Sequence, residues 1–123
     1  MITLKELNPH NYLMTKEVED NLHILLERIN IIRTKWGRSM IITSGLRSNA
    51  DQMRINPKAP LSRHCIGAAC DVSDPNRELQ IWIKANVSTL ETVGLWCESF
   101  DATANWIHFQ IYPPKSGKRF FNP

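Results

Sequence analysis

The segment Ser62–Asp71, with the sequence SRHCIGAACD, constrains this chain more than any other stretch. A histidine stands near its start and an aspartate at its end, and Gly67 between them permits a tight turn. The residues Ala69–Ser73 are small or β-branched and predict a short strand directly after this turn. Because side chains alternate along a strand, Asp71 points to one face and Cys70 to the other. The segment therefore predicts an aspartate presented from a strand, close in sequence to a histidine in a loop.

The residues before this segment predict one long helix, one strand and one long loop. Apolar residues recur at the three- and four-residue spacings of one helix face; they are Val18, Leu22, Leu25, Leu26, Ile29, Ile32 and Trp36. The helix is predicted over 17–36, with Thr15 as its N-cap and Gly37 as its end. Residues 40–44 predict a buried strand. Residues 46–63 turn polar and predict a loop, and a loop of this length is usually functional or disordered.

The residues after the segment predict two further helices and two further strands. Asp74 and the proline that follows it predict the start of a helix over 75–86. The capping box Ser88–Glu91 opens a shorter helix. Residues 95–97 and 106–112 predict two strands around a polar turn. Because helices and strands do not alternate regularly, we expect the α+β class, with a small antiparallel sheet and flanking helices.

Length and composition are those of an ordinary globular protein. The chain has 123 residues, 42% hydrophobic and 22% charged, and we expect a single domain over residues 1–123. Its formal charge of +3 is too small and too scattered for a dedicated nucleic-acid-binding protein. No apolar run approaches the roughly 20 residues that span a membrane, and the N-terminus lacks the apolar core of a signal peptide. We expect a monomer that is made in the cytoplasm.

Three cysteines, Cys65, Cys70 and Cys97, argue against a disulfide framework, which needs an even number. They offer a rival metal site, although the chain has no CxxC pair of the kind that holds structural zinc. We therefore expect them to be small buried residues. Trp96 and Trp106 are likewise expected in the core, with the wall of a substrate cleft as the alternative.

Two of the four histidines, His64 and His108, stand in unusual surroundings, one beside a predicted strand and one within a strand of large side chains. A catalytic zinc site needs three nitrogen or oxygen ligands and one open position, and His64, Asp71 and His108 can supply the three. The residues alone leave alternatives open, since a strand histidine is often structural and an aspartate often caps a turn. His10 and His23 are expected to be structural or surface residues.

Three segments carry fixed residues at set spacings. Ser62–Asp71 reads SxHxxGxAxD, Thr43–Ser48 reads TSGLRS, and Trp106–His108 reads WxH. In type and order they resemble the zinc signature, the upstream SGYRS-like segment and the downstream WxH segment of the M15 peptidases. That family contains D-Ala-D-Ala carboxypeptidases, dipeptidases and phage endolysins. The resemblance covers about Ile41–Ile111 and implies the hedgehog-like, DD-peptidase-like α+β zinc fold.

By this resemblance, His64, Asp71 and His108 are the ligands of a Zn²⁺ ion. Arg47 is implied to bind a carbonyl or carboxylate of the substrate and to stabilise the oxyanion, since a guanidinium directs donors at developing negative charge. Ser62 is implied to make a supporting hydrogen bond near the ligands. Taken alone, an arginine in a polar loop is also compatible with a purely solvent-exposed role.

The general base departs from the family's pattern. Many members carry Glu or Asp three residues before the final histidine, and this chain has Asn105 there, which cannot act as a base. Two nearby carboxylates can substitute: Glu98, at the end of the preceding strand, and Asp101, in the turn. Shorter family members with an acidic residue further upstream favour Glu98. The third alternative is that the chain has no working base.

The resemblance implies a zinc-dependent metallopeptidase that cleaves the peptide stem of bacterial peptidoglycan, at an L-Ala-D-Glu or a D-Ala-D-Ala bond. We expect a phage or prophage protein, either an endolysin or a virion component, that reaches the cell wall by phage-type release. One rival is a catalytically silent zinc module that binds wall peptide or stabilises a virion. The other is a metal-free binding domain with structural histidines.

Overall fold

The computed structural model describes residues 1–58 and 62–123 and shows an α+β protein built on one five-stranded sheet. The strands are β1 (Ile42–Ser44), β2 (Ala69–Ser73), β3 (Trp96–Glu98), β4 (Trp106–Gln110) and β5 (Phe120–Phe121). Their order across the sheet is β1-β2-β4-β3-β5, so β2 and β4 are central neighbours. The predicted fold class is confirmed, and the structure gives β2 the bounds that its sequence predicts.

The sheet is mixed rather than purely antiparallel. The pairs β1–β2, β2–β4 and β3–β4 are antiparallel, whereas β5 runs parallel to β3. The N–H of Cys97 donates to the carbonyl of Arg119 at 2.9 Å, and the N–H of Ser99 donates to that of Phe121 at 2.7 Å. The expectation of an antiparallel sheet missed this edge because a two-residue strand is too short to show an alternating pattern.

Helices flank the sheet. They are α1 (Leu4–Leu7), α2 (Lys16–Trp36), α3 (Asn49–Ile55), a 3₁₀ helix (Arg63–Ile66), α4 (Glu78–Ala85) and α5 (Val87–Val93). In the part of the chain that the structure describes, no helix combines the length and the apolar character needed to cross a membrane.

The long helix α2 covers the core face of the sheet. The hydroxyl of Thr15 accepts a hydrogen bond from the N–H of Val18 at 3.2 Å, and Gly37 ends the helix in the left-handed conformation with φ 77°. Its predicted apolar face is confirmed, since Leu22, Leu25, Ile29 and Ile32 are fully buried. They join one core cluster with the inward side chains of the central strands, which are Cys70, Val72, Ile107 and Phe109. The opposite face of β2 and β4 is therefore left for polar side chains.

The predicted loop over 46–63 contains one short helix and ends at the first residue of a second one, and its residues 59–61 lie outside the described residues. The first helix, α3, begins after Ser48, whose hydroxyl accepts from the N–H of Asp51 at 3.1 Å. The second is the 3₁₀ helix that carries His64. The loop prediction was wrong here because α3 buries only Gln52 and therefore shows no apolar stripe.

The helices after β2 begin at other residues than predicted. Arg77 adopts φ 59°, and α4 starts only at Glu78. Asp74 still caps it, because its carboxylate accepts from the N–H groups of Leu79 and Gln80 at 3.1 and 2.9 Å. The capping box predicted at Ser88 is wrong, since α5 already begins at Val87 and has no side-chain cap.

Candidate metal centre

Asp71 and His108 face each other across the two central strands. The antiparallel register of β2 and β4 pairs these residues directly, so their side chains lie side by side on the face away from the core. Oδ1 of Asp71 lies 3.1 Å from Nδ1 of His108. His108 lies in the strand predicted over 106–112, although β4 ends at Gln110.

His64 reaches the same point from the 3₁₀ helix. The hydroxyl of Ser62 accepts a hydrogen bond from the backbone N–H of His64 at 3.1 Å, which caps this helix and gives Ser62 a supporting contact beside the site. Gly67 ends the helix with φ 74° and leads the chain directly into β2. Nε2 of His64 lies 3.3 Å from Oδ1 of Asp71, and its Nδ1 donates to the carbonyl of Gly45 at 2.9 Å.

The three side chains fit a metal ion. They are only 3%, 12% and 8% exposed for His64, Asp71 and His108, and their donor atoms all lie within 4.8 Å of one another. Two ligands of a tetrahedral zinc ion at bond lengths of about 2.0–2.1 Å are about 3.3 Å apart, and the two distances to the aspartate oxygen match this spacing. No other such cluster of His, Cys, Asp or Glu occurs in residues 1–58 and 62–123.

Hydrogen bonding gives a second reason why a cation fits here. Each imidazole faces an oxygen acceptor at both ring nitrogens, and a neutral imidazole has only one N–H to donate. When the outer nitrogens, Nδ1 of His64 and Nε2 of His108, carry the protons, the two inner nitrogens present lone pairs toward Asp71. Only a cation between them satisfies these lone pairs and the carboxylate together. This is the usual arrangement of a metal-bound histidine, whose other nitrogen donates to a fixed acceptor.

Gln110 is a site residue that sequence reasoning missed. Its Oε1 accepts from Nε2 of His108 at 2.9 Å, while its own amide nitrogen donates to the carbonyl of Tyr112 at 2.7 Å. The second bond fixes which end of the amide faces the histidine. A period-two reading of β4 is the signal that could have found it, because Gln110 follows His108 by two positions and shares its face.

The pKa values of the site express this charge arrangement. Burial opposes ionisation of Asp71, but hydrogen bonds and charge from His108 and His64 outweigh it and hold the pKa of Asp71 well below its usual range. Burial also disfavours protonated His108. The hydrogen bond and charge of Asp71, with a further contribution from the charge of Glu98, prevail and raise the pKa of His108 above its usual value. Without a metal, the charge and hydrogen bond of Asp71 therefore favour the protonated form of His108.

Three polar contacts hold the guanidinium of Arg47 beside the site. Its Nε donates to the hydroxyl of Ser44 at 2.9 Å, and its Nη1 donates to Oε1 of Gln52 at 2.9 Å. Its Nη2 lies 3.3 Å from Oδ2 of Asp71, the oxygen that faces away from the histidines. Gln52, which the sequence analysis did not single out, thus fixes the arginine from α3. The structure places Arg47 beside the candidate metal ligands rather than in open solvent.

The three candidate ligands line a cavity of about 360 Å³. Arg47, Arg63, Glu98 and Trp106 are among the residues that line it. Trp106 is 38% exposed, so the expectation that it packs in the core was wrong: β4 turns this side chain to the face opposite the core residue Ile107.

The structure separates the two candidate bases. Glu98, at the end of β3, stands in the cavity wall and acts electrostatically on His108. Asp101 is exposed in the turn after β3 and is not among the described residues that line the cavity. Asn105 is exposed one residue before β4, and its carbonyl accepts from the backbone N–H of Asp74 at 2.8 Å. Which carboxylate serves as base stays a prediction.

The remaining candidates lie away from this centre. Cys70 and Cys97 are buried in the core, where burial raises the pKa of both thiols, and all three cysteines are free. No cysteine belongs to the metal cluster in the part of the chain described. Trp96 is half-buried beneath the guanidinium of Arg119, which lies 4.3 Å from its ring. His10 and His23 are both exposed.

The comparisons with known proteins agree with this geometry. The model of the Peptidase M15 family matches residues 1–110, which is 110 of the 123 residues and includes the three candidate ligands. No curated protein and no solved structure gives a significant match. A histidine–aspartate–histidine centre on this α+β scaffold, together with a family match over most of the sequence, shows that the chain belongs to the Peptidase M15 family.

Proposed function

We propose that this protein is a zinc-dependent metallopeptidase that hydrolyses the peptide stem of bacterial peptidoglycan, at an L-Ala-D-Glu or a D-Ala-D-Ala bond. The observation that carries the proposal is the convergence of His64, Asp71 and His108 in an open cavity that also holds Arg47 and Glu98. Two imidazoles and one carboxylate are a ligand set for catalytic zinc, which needs a further open position for water or substrate.

Zinc held by these three residues would polarise a peptide carbonyl and make a water molecule more acidic. The protein's own residues orient the two histidines and keep Asp71 ionised. The Gly45 carbonyl and the Gln110 amide keep both histidines in the tautomer that leaves one nitrogen free for the ion. The buried position of Asp71 keeps its carboxylate out of bulk water, and the low pKa keeps it ionised.

In this scheme Arg47 contacts Asp71 and also offers hydrogen-bond donors to the substrate. One N–H contacts the outer oxygen of Asp71, and two others bind Ser44 and Gln52, so the guanidinium is fixed before substrate arrives. Its remaining N–H groups are available to the substrate carbonyl oxygen, where negative charge develops during attack. A donor that is already oriented needs no reorganisation at that moment.

Glu98 is the group we assign to proton transfer. As general base, it takes a proton from the attacking water, and as general acid it returns this proton to the leaving amine. Its place in the cavity wall supports the assignment, and the exposed position of Asp101 makes that residue the weaker candidate. Delivery to the cell wall by phage-type release or as part of a virion belongs to the same proposal and rests on the family resemblance alone.

The catalytically silent zinc module is the second candidate, because Asn105 stands where many members carry their base. Digestion of purified peptidoglycan, followed by mass spectrometry of the released fragments, distinguishes the two. We expect new peptide ends that disappear with a zinc chelator and return with added zinc. Glu98→Gln should abolish them while Asp101→Asn leaves them, and zinc content should be equal in both variants. Zinc-loaded protein that releases no fragments would exclude the peptidase.

A further inference from the structure

Arg63 is a cation in the cavity wall that forms no ion pair with a carboxylate of the described residues. It is the first residue of the 3₁₀ helix and precedes the ligand His64, and its side chain is exposed at the cavity. Among residues 1–58 and 62–123, none of the ion pairs involves it. Residues 59–61 are Ala, Pro and Leu and bring no side-chain carboxylate. Arg47, by contrast, is already paired with Asp71.

The guanidinium of Arg63 rests against a fixed aromatic ring. Its central carbon lies 5.2 Å from the centroid of the Tyr112 ring, within the range of a cation–π contact. The Tyr112 hydroxyl donates to Oδ1 of Asn21 at 2.6 Å, and Nδ2 of Asn21 donates to the carbonyl of Ile66 at 2.9 Å. Asn21 of α2 thus ties the ring and the 3₁₀ helix together, so the ring against which Arg63 rests is fixed. In the described part of the chain, no ion pair engages the guanidinium.

The charge of the cavity favours an anion. Among the lining side chains named above, the positive charges of Arg47 and Arg63 balance the negative charges of Asp71 and Glu98. A divalent ion at the candidate ligands would make the sum of these four side-chain charges positive. Of the two arginines, Arg63 is the one without a carboxylate partner among the described residues. A carboxylate is the anion that a planar guanidinium binds best among peptide groups, through two parallel N–H···O bonds.

We propose that Arg63 binds a carboxylate of the substrate and makes the enzyme selective for peptides that carry a free carboxylate beside the scissile bond. This rests on the proposed function, which supplies the substrate class. Both bonds named there satisfy the requirement, because D-Glu retains one carboxylate and a terminal D-Ala has its own. In this arrangement Arg47 binds the reacting carbonyl and Arg63 binds a neighbouring carboxylate.

The test uses pairs of synthetic stem peptides that differ in one group, a carboxylate or the corresponding amide, at D-Glu in one pair and at the terminal D-Ala in the other. Binding to the zinc-loaded protein is measured by stopped-flow tryptophan fluorescence before turnover, and kcat/KM is measured in parallel. We expect one carboxylate peptide to bind about tenfold more tightly than its amide, the size of one charge-assisted hydrogen-bond pair. Arg63→Gln should bind both members equally, at the affinity of the wild type for the amide.

Two further variants separate this role from others. Arg63→Lys should keep only part of the preference, because a lysine cannot form the parallel pair of bonds. Lys115→Gln removes the same charge from an exposed position outside the cavity and should keep the full preference. Equal binding of both members of each pair by the wild type, or an equal loss for both in Arg63→Gln, would overturn the proposal. A preference that depends on Arg63 without any hydrolysis would instead overturn the peptidase and leave the carboxylate site standing.

Discussion

Nε2 of His108 lies 2.9 Å from Oε1 of Gln110, two positions further along the same strand. Both side chains are buried, and the amide is held in one orientation by its bond to the Tyr112 carbonyl. The strand thus supplies both the candidate ligand and the acceptor that selects its tautomer. Because the ring must donate outward to Gln110, the nitrogen that faces Asp71 is free to bind a metal.

Replacing Gln110 with leucine should weaken zinc binding. The change removes the acceptor of the His108 N–H, and loss of such a contact typically lowers metal affinity by about ten- to a hundredfold. Competition with a chromophoric zinc chelator measures the effect directly. Gln80→Leu is the matched control, since Gln80 is buried to the same extent, at 4% exposed, but binds the carbonyls of Thr103 and Trp106. We expect it to lower stability and to leave zinc affinity nearly unchanged; equal zinc affinities in the two variants would contradict the role of Gln110.

The metal-free protein should lose stability as pH rises above about 6.5. The pKa of His108 is raised in the folded protein, so its contribution to the free energy of unfolding is complete below about 6.5, the unfolded value, and is lost as pH rises through the folded pKa. Asp71 has the opposite sign. Its pKa is lowered, so its contribution is complete above about 3.9 and is lost as pH falls through the folded pKa.

Urea unfolding of chelator-treated protein between about pH 6 and about pH 8 tests the neutral limb. Zinc affinity should rise over the same interval, because the proton on His108 and the metal compete for one nitrogen. His108→Gln should flatten the stability profile, whereas His23→Gln, at an exposed position, should leave its slope in place. A wild-type stability that rises from pH 6 to pH 8 without metal would show that His108 is not held protonated.

The sequence predicted the parts of the site that local patterns encode. The turn at Gly67 and the alternation along β2 place His64 and Asp71 together within a few residues. His108 is 37 positions from Asp71, and its place follows from strand pairing. That pairing is not visible in a local pattern, so the family resemblance rather than the spacing brought His108 into the ligand set.

The parts that were missed depend on contacts between distant segments. Gln52 lies on a helix without an apolar stripe, so neither its burial nor its bond to Arg47 could be read from periodicity. Trp106 is expected in the core, with a substrate cleft as the alternative, and the pairing of β4 with β2 turns it to the cavity face. The edge strand β5 forms only because the tail returns to β3.

Asp74→Ala should destabilise the fold without changing the metal site. The buried carboxylate accepts from two N–H groups at the start of α4, and removal of such a cap costs about 1–2 kcal/mol of unfolding free energy. Asp74→Asn keeps one acceptor oxygen and should lose less. Chemical unfolding measures both changes, and zinc titration should give the wild-type affinity for each variant. Loss of zinc affinity in Asp74→Ala would mean that α4 and the metal centre are coupled.

Among the glycines with positive φ, Gly67 should be the one where a change to alanine costs the most unfolding free energy. The residue has φ 74°, and a Cβ there would lie 2.7 Å from Cδ1 of Leu22 and 2.8 Å from the carbonyl oxygen of Val18. A strained backbone and a steric clash with α2 together predict a loss of about 3 kcal/mol in unfolding free energy.

Gly117→Ala is the control that measures the cost of the strained backbone alone. Its φ is 71° and no atom lies within 4 Å of the added Cβ, so a loss of about 1 kcal/mol is expected. Since Gly67 joins the helix of His64 to the strand of Asp71, only Gly67→Ala should also weaken zinc binding. Equal losses of stability in the two variants would show that α2 yields to the added methyl group and does not fix the spacing of these ligands.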